Sequence, residues 1–139
     1  MKLRSLLALI VWLALSISPV LANDAAEKAA ATAAGAWLSQ IDAGNYGKSW
    51  QDAASYFQGA ISEKGWTDAL TGARKPLGPL LSRKVATTRS ANSLPGASDG
   101  NYVVMQFDTS FSNKKSAIET VTFMQEKDGK WKAAGYYIK

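Results

Sequence analysis

An α+β fold is what this sequence predicts: three N-terminal helices packed on one face of a four-stranded antiparallel sheet. Three observations predict it. Apolar residues recur at helical spacing in the first half of the chain and with a period of two in the second. Pro76 and Gly78-Pro79 break the chain where the period changes. The strand-like segments are joined by turns with no helical stretch between them, as in antiparallel sheets whose helices gather on one side.

The N-terminus has the three parts of a secretory signal. Lys2 and Arg4 give a positive start, Leu6 to Leu15 is an apolar run, and Pro19 stops a helix before Val20-Leu21-Ala22, where small or aliphatic residues suit signal peptidase. The run is shorter than the roughly 18 to 20 residues that span a bilayer, which argues against a membrane anchor. The cleavage point has no cysteine, so the signal is not of the lipoprotein type. Residues 1–22 are therefore expected to be removed, leaving residues 23–139 as a single domain, periplasmic or secreted, with no membrane span. Taking 22 residues from 139 leaves 117, enough for one core that buries roughly two thirds of the unfolded surface. Net charge falls from +5 to +3 as Lys2 and Arg4 leave.

Asp24 followed by Glu27 marks a helix start with a capping-box acid. Ala25 to Ala43 is rich in alanine, and Ala30, Ala34, Trp37, Leu38 and Ile41 share one stripe. Gly44 ends this helix, and Asn45 caps the next, whose stripe is Tyr46, Trp50, Ala53, Ala54 and Phe57. Ser62 caps the third, which carries Trp66, Ala69, Leu70 and Ala73. Trp37, Trp50 and Trp66 at helical spacing are ordinarily core, each indole N–H finding a backbone partner.

Strands are expected over residues 82–91, 101–111, 115–127 and 130–138. The second alternates cleanly, with Val103, Met105, Phe107, Thr109 and Phe111 on one face and Tyr102, Val104, Gln106, Asp108 and Ser110 on the other. Ser112-Asn113-Lys114 makes a turn, and Asp128-Gly129 signals a two-residue hairpin. Tyr136 and Tyr137 must face opposite ways, one to the core and one to the surface.

Cysteine and histidine are both absent. Stability must then come without disulfides, and Ser-His-Asp, Cys-His and His-ligated zinc sites are excluded within the chain. No phosphate loop, dinucleotide motif or calcium loop occurs, so no cofactor or metal is implied. Export argues against nucleic acid as a target.

Several segments together resemble a known family. They are Asp42-Ala43-Gly44-Asn45-Tyr46 with Ser49-Trp50, Trp66 to Leu70 with Arg74 and Pro76-Leu77-Gly78, Ser82-Arg83, Leu94-Pro95-Gly96 with Asp99-Gly100, Tyr102-Val103-Val104, Thr109-Ser110-Phe111, Lys114-Lys115, Glu119-Thr120-Val121-Thr122, and Asp128-Gly129-Lys130-Trp131 with Gly135-Tyr136-Tyr137-Ile138. The resemblance is to the small exported bacterial proteins of domain of unknown function 4019. It spans nearly the whole mature chain, and it implies a small periplasmic α+β protein without assigned activity. The order of helices then curved sheet is also similar to the nuclear transport factor 2-like fold, in element order alone.

Arg74, Lys75, Arg83, Lys84 and Arg89 gather positive charge around the helix-to-sheet junction. Such a cluster either holds an anionic ligand or is a solvated face. Arg74, on the last turn of the third helix, either serves that ligand or pairs with a carboxylate, Glu119 being the first candidate. Asp108 and Glu119 on neighbouring strands would suit an acid/base pair, though a structural ion pair or exposed strand positions are the plainer assignment. The functional expectation is a non-catalytic module that binds a partner protein or envelope component. The alternative is a small-molecule carrier or enzyme with a pocket between the helices and the concave sheet, lined by Trp50, Trp66, Arg74, Arg83, Glu119 and Tyr136.

Overall fold

The computed structural model describes residues 19–139, with side chains from residue 23 onward. The expected export signal lies outside the described residues except for the helical backbone at its end. Helix α1 runs Pro19–Asp42, α2 Tyr46–Gln51, α3 Ser55–Ala60 and α4 Glu63–Ala73. A 3-10 turn, Lys75–Leu77, leads into β1 Leu80–Ala91, β2 Tyr102–Phe111, β3 Lys114–Gln125 and β4 Trp131–Ile138. The strands form one antiparallel sheet in sequence order. The α+β expectation holds, with helices against one sheet face.

Helix α1 starts earlier than the Asp24–Glu27 pattern suggested, so Asp24 lies within the helix and does not cap it. Proline suits the first helical position, where its missing N–H has no partner to lose, and the alanines carry the helix on. Its stripe is buried as expected: Ala30, Ala34, Trp37, Leu38 and Ile41. The helix ends in a Schellman arrangement, with Asn45 N–H on Gln40 O at 2.8 Å and Gly44 N–H on Ile41 O at 3.0 Å. Gly44 takes the φ of +80° that this ending requires.

The expected second helix is two short ones. Ala54 turns extended at φ −63°, ψ 151°, and its N–H donates to Ala133 O in β4 at 2.8 Å. That bond to the sheet replaces the next helical bond, so the stripe from Tyr46 to Phe57 spans a break. Asn45 makes no side-chain cap. Ser62 does cap α4, its Oγ accepting from Gly65 N–H at 3.0 Å. On α4 the buried stripe is Trp66, Leu70 and Arg74, while Ala69 and Ala73 are exposed. The arginine therefore stands where the apolar pattern would place its next member.

The core packs Trp37, Leu38, Ile41, Phe57, Trp66 and Leu70 against Val103, Met105, Phe107, Val121, Phe123 and Ala133. Trp37 and Trp66 stack at 6.0 Å. Both indoles donate to the fully buried Ser49, Trp37 to its carbonyl at 2.8 Å and Trp66 to its hydroxyl at 2.9 Å. The β3–β4 turn has three residues, Lys127 to Gly129, between the paired Glu126 and Lys130, and Gly129 takes φ +85°. The Asp-Gly pair thus closes a type I turn plus left-handed residue instead of a two-residue hairpin.

Candidate functional site

The sheet register places four polar side chains on the inner face beside the ends of α1 and α4. Arg83 is opposite Thr109, Phe107 opposite Glu119, and Val121 opposite Tyr136. Alternation by two then sets Arg83, Thr109, Glu119 and Tyr136 on one side. The Schellman end of α1 presents Asp42 over them, and α4 ends at Arg74.

These residues form one ionic cluster. Arg83 is its bridge: Nη1 reaches Asp42 Oδ2 at 2.7 Å, Nη2 reaches Asp42 Oδ1 at 2.9 Å, and Nε reaches Glu119 Oε1 at 2.7 Å. Arg74 Nη2 donates to Asp42 Oδ1 at 2.9 Å, and Nη1 lies 3.5 Å from Tyr136 Oη. Thr109 donates to Glu119 Oε1 at 2.7 Å, and the Tyr136 hydroxyl donates to Glu119 Oε2. Arg74 also lies over the Phe111 ring, 4.7 Å from its centroid.

Charge balances within the cluster, two guanidinium groups against two carboxylates. Glu119 is fully buried and Arg74 is 5% exposed, so each charge would be costly to bury without a partner. Burial pushes the Asp42 carboxyl up, but the bonds and charge of Arg83 and then Arg74 outweigh it and hold the group below the usual carboxylate range. Burial likewise opposes charge on Arg74 and Arg83, and their partners, Tyr136 and Asp42 for the first and Asp42 and Glu119 for the second, raise both above the usual guanidinium value. Burial first, and the Glu119 charge next, raise Tyr136, so it stays a protonated donor. Asp42 sits on the last turn of α1, at the negative pole of the helix dipole, where an acid is unfavourable unless cations face it. Two arginines do.

The structure brings Arg74, Arg83, Glu119 and Tyr136 together. Trp66 adjoins them through the Tyr136 ring at 6.2 Å. Trp50 stands apart, half-buried, its indole N–H on Ile61 O at 2.8 Å. The carboxylate facing Arg74 is Asp42 instead of Glu119, whose arginine is Arg83. Asp108 pairs across strands with Ile118 on the exposed face, so it cannot work with Glu119. Lys75, Lys84 and Arg89 are exposed and separate from the cluster. Sequence reasoning missed Asp42 and Thr109 as members. The signal for Asp42 was an acid at a helix C-terminus, and the signal for Thr109 was a polar residue on an otherwise apolar strand face.

Chemically, the cluster has its donors and acceptors turned on each other; of its buried side-chain polar atoms, Arg74 Nε alone lacks a partner among the described residues. Two of the cavities among the described residues lie elsewhere. One of about 480 Å³ opens between the start of α1 and the sheet end, beside Asn92, Asn101, Gln125 and Trp131. The other, about 350 Å³, lies between α1 and β4 beside Trp37, Gln40, Phe123 and Trp131. Neither is lined by Trp50, Trp66, Arg74, Arg83, Glu119 or Tyr136. Among the described residues no three acidic, histidine or cysteine side chains group as a metal site would require, and no helix is long and apolar enough to cross a membrane.

Fold and cluster define a small α+β domain with an ionic latch between its helices and its sheet. The chain matches the family described as protein of unknown function (DUF4019) over residues 33–136, and it belongs to that family. No curated protein matches it.

Proposed function

We propose that the protein is an exported, non-catalytic module that binds a partner protein or envelope component in the periplasm or outside the cell. The observation that carries this is the cluster itself. The groups with the strongest chemical potential, Arg74, Arg83, Asp42, Glu119 and Tyr136, neutralise one another in the interior. Recognition is then left to the surface. The signal-like pattern of residues 1–22 supports export, and N-terminal sequencing of protein from fractionated cells should find a chain beginning at Asn23. Cross-linking in cells at native expression should yield a discrete, reproducible partner; a background-only result there would count against binding.

A second possibility, a small-molecule carrier, is favoured by one feature. Gln40 bounds the cavity between α1 and β4; its amide nitrogen is committed to Asp52 Oδ2 at 2.7 Å, and its buried Oε1 has no partner among the described residues. Native mass spectrometry of protein from its own compartment should show a retained mass if a carrier; a bare chain mass would remove this possibility.

A further inference from the structure

The two edges of the sheet differ. The β4 edge is tied down by the Ala54 N–H on Ala133 O at 2.8 Å, and α1 and α3 pack beside it. The β1 edge receives no main-chain bond of that kind: α1 packs beside its end, where Ser90 Oγ donates to Glu27 Oε1 at 3.1 Å, but among the described residues its only ladder partner is β2. Strand β1 has 12 residues and is the most exposed of the four. Val85, opposite Phe107 on the inner face, is still 49% exposed, and Leu81 in a bulge is 55% exposed. An edge of this length with no further ladder partner among the described residues presents N–H and C=O groups to another chain.

Building on the partner-binding function proposed above, we propose that β1 accepts an extended acidic segment of the partner protein as a fifth strand. The chemistry of β1 selects this occupant. Its charged residues are Arg83, Lys84 and Arg89, with no acid among them. Arg83 is spent in the interior, but Lys84 and Arg89 are exposed and form no ion pair with a described residue, although Asp108 lies cross-strand from Lys84. A second copy of β1 would face these cations with its own, which is repulsive across a ladder. A strand carrying carboxylates faces them favourably. The register gives the pattern: Lys84, Thr87 and Arg89 project outward, while Val85 and Thr88 project inward. The partner segment therefore places acids on the outer face and an apolar residue inward beside Val85. Main-chain bonds supply affinity and the alternating side chains supply selectivity. Two register shifts, between Leu80 and Ser82 and between Val85 and Thr87, break the edge into short straight runs. They deny a long flat ladder to indiscriminate pairing, so a partner strand that reads Lys84, Val85 and Arg89 must match the offset between Val85 and Thr87.

The test uses isotope-labelled protein in the form its host accumulates, titrated with a short blocked peptide of alternating glutamate and valine. Shifted resonances and slowed amide exchange should map to β1, and an alternating lysine–valine peptide should not bind. Joint reversal by Lys84→Glu and Arg89→Glu, both exposed and outside the ionic cluster, should weaken the glutamate peptide by about tenfold and admit the lysine peptide. No binding, binding that maps to other elements, or indifference to charge reversal would each overturn the proposal. The partner-binding function fails separately: a cross-linked partner still captured by the charge-reversed protein keeps that function and removes β1 from it.

Discussion

Replacing Glu119 with glutamine keeps the shape of a fully buried side chain and removes one negative charge. Arg83 then faces one carboxylate, Asp42, which it already shares with Arg74. Two guanidinium groups against a single carboxylate leave a net positive charge in the interior. Breaking a buried pair from one side costs about 3–5 kcal/mol. The whole domain holds about 5–15 kcal/mol, so the loss is a large share of it. In a domain this size the melting temperature should fall by roughly 10–25 °C. Urea unfolding followed by tryptophan fluorescence measures the loss directly, because Trp37 and Trp66 both pack near Tyr136. Arg83→Met alone should cost a similar amount, stranding Glu119 and half of the Asp42 demand. The double variant restores charge balance between Arg74 and Asp42, so it should be less destabilised than the singles summed, by about 2 kcal/mol. A single-variant loss below about 1 kcal/mol together with an additive cycle would refute the mutual dependence of these charges.

Three further outcomes follow from the same contacts. Asp42 has its folded value below the ordinary 3.8, so its stabilisation is present above that pH and is lost as pH falls through the folded value; Asp42→Asn should flatten the decline in stability measured by denaturant titration below about pH 4. Tyr136 is raised above its ordinary 10.0, so its contribution is complete below that pH and is lost as pH rises; Tyr136→Phe should be destabilised at neutral pH and show a shallower alkaline decline above about pH 10. Ser49→Ala leaves the buried Trp66 indole N–H without its acceptor and should cost about 1–3 kcal/mol in chemical denaturation, whereas a cost near zero would mean that the indole finds another partner.

Much of the fold was legible because the apolar periods are strong. The α1 stripe and the alternation of β2 needed no tertiary knowledge, and the turns at Gly44 and Ser112-Asn113 followed from local chemistry. The break at Asp52 to Ala54 was not legible: it depends on a sheet carbonyl, Ala133 O, that no helical pattern reveals. The polar residues were individually visible, and an arginine–glutamate pairing was expected, but the partners were exchanged. Arg74 and Glu119 both belong to the cluster, yet Arg83 reaches the glutamate because its own strand register points it there. The start of α1 was misjudged because an acid pair three residues apart caps a helix only where the chain upstream is not already helical.

The bridging position of Arg83 bears on how the strands find their alignment. Outward positions of the meander offer Thr87, Gln106, Thr120 and Thr122, which tolerate displacement along a ladder. A slip of one residue between β2 and β3 would turn Glu119 to solvent and bring Ile118 or Thr120 inward, leaving Arg83 beneath the helices with half its acceptors gone. A slip of β1 would carry Arg83 itself outward and expose Asp42 and Glu119 to each other. Each misalignment is penalised by an uncompensated charge far more steeply than by a lost apolar contact. The cluster thus discriminates among pairings of the same four strands, and an apolar replacement set of equal volume would be expected to fold with comparable stability and less certain alignment.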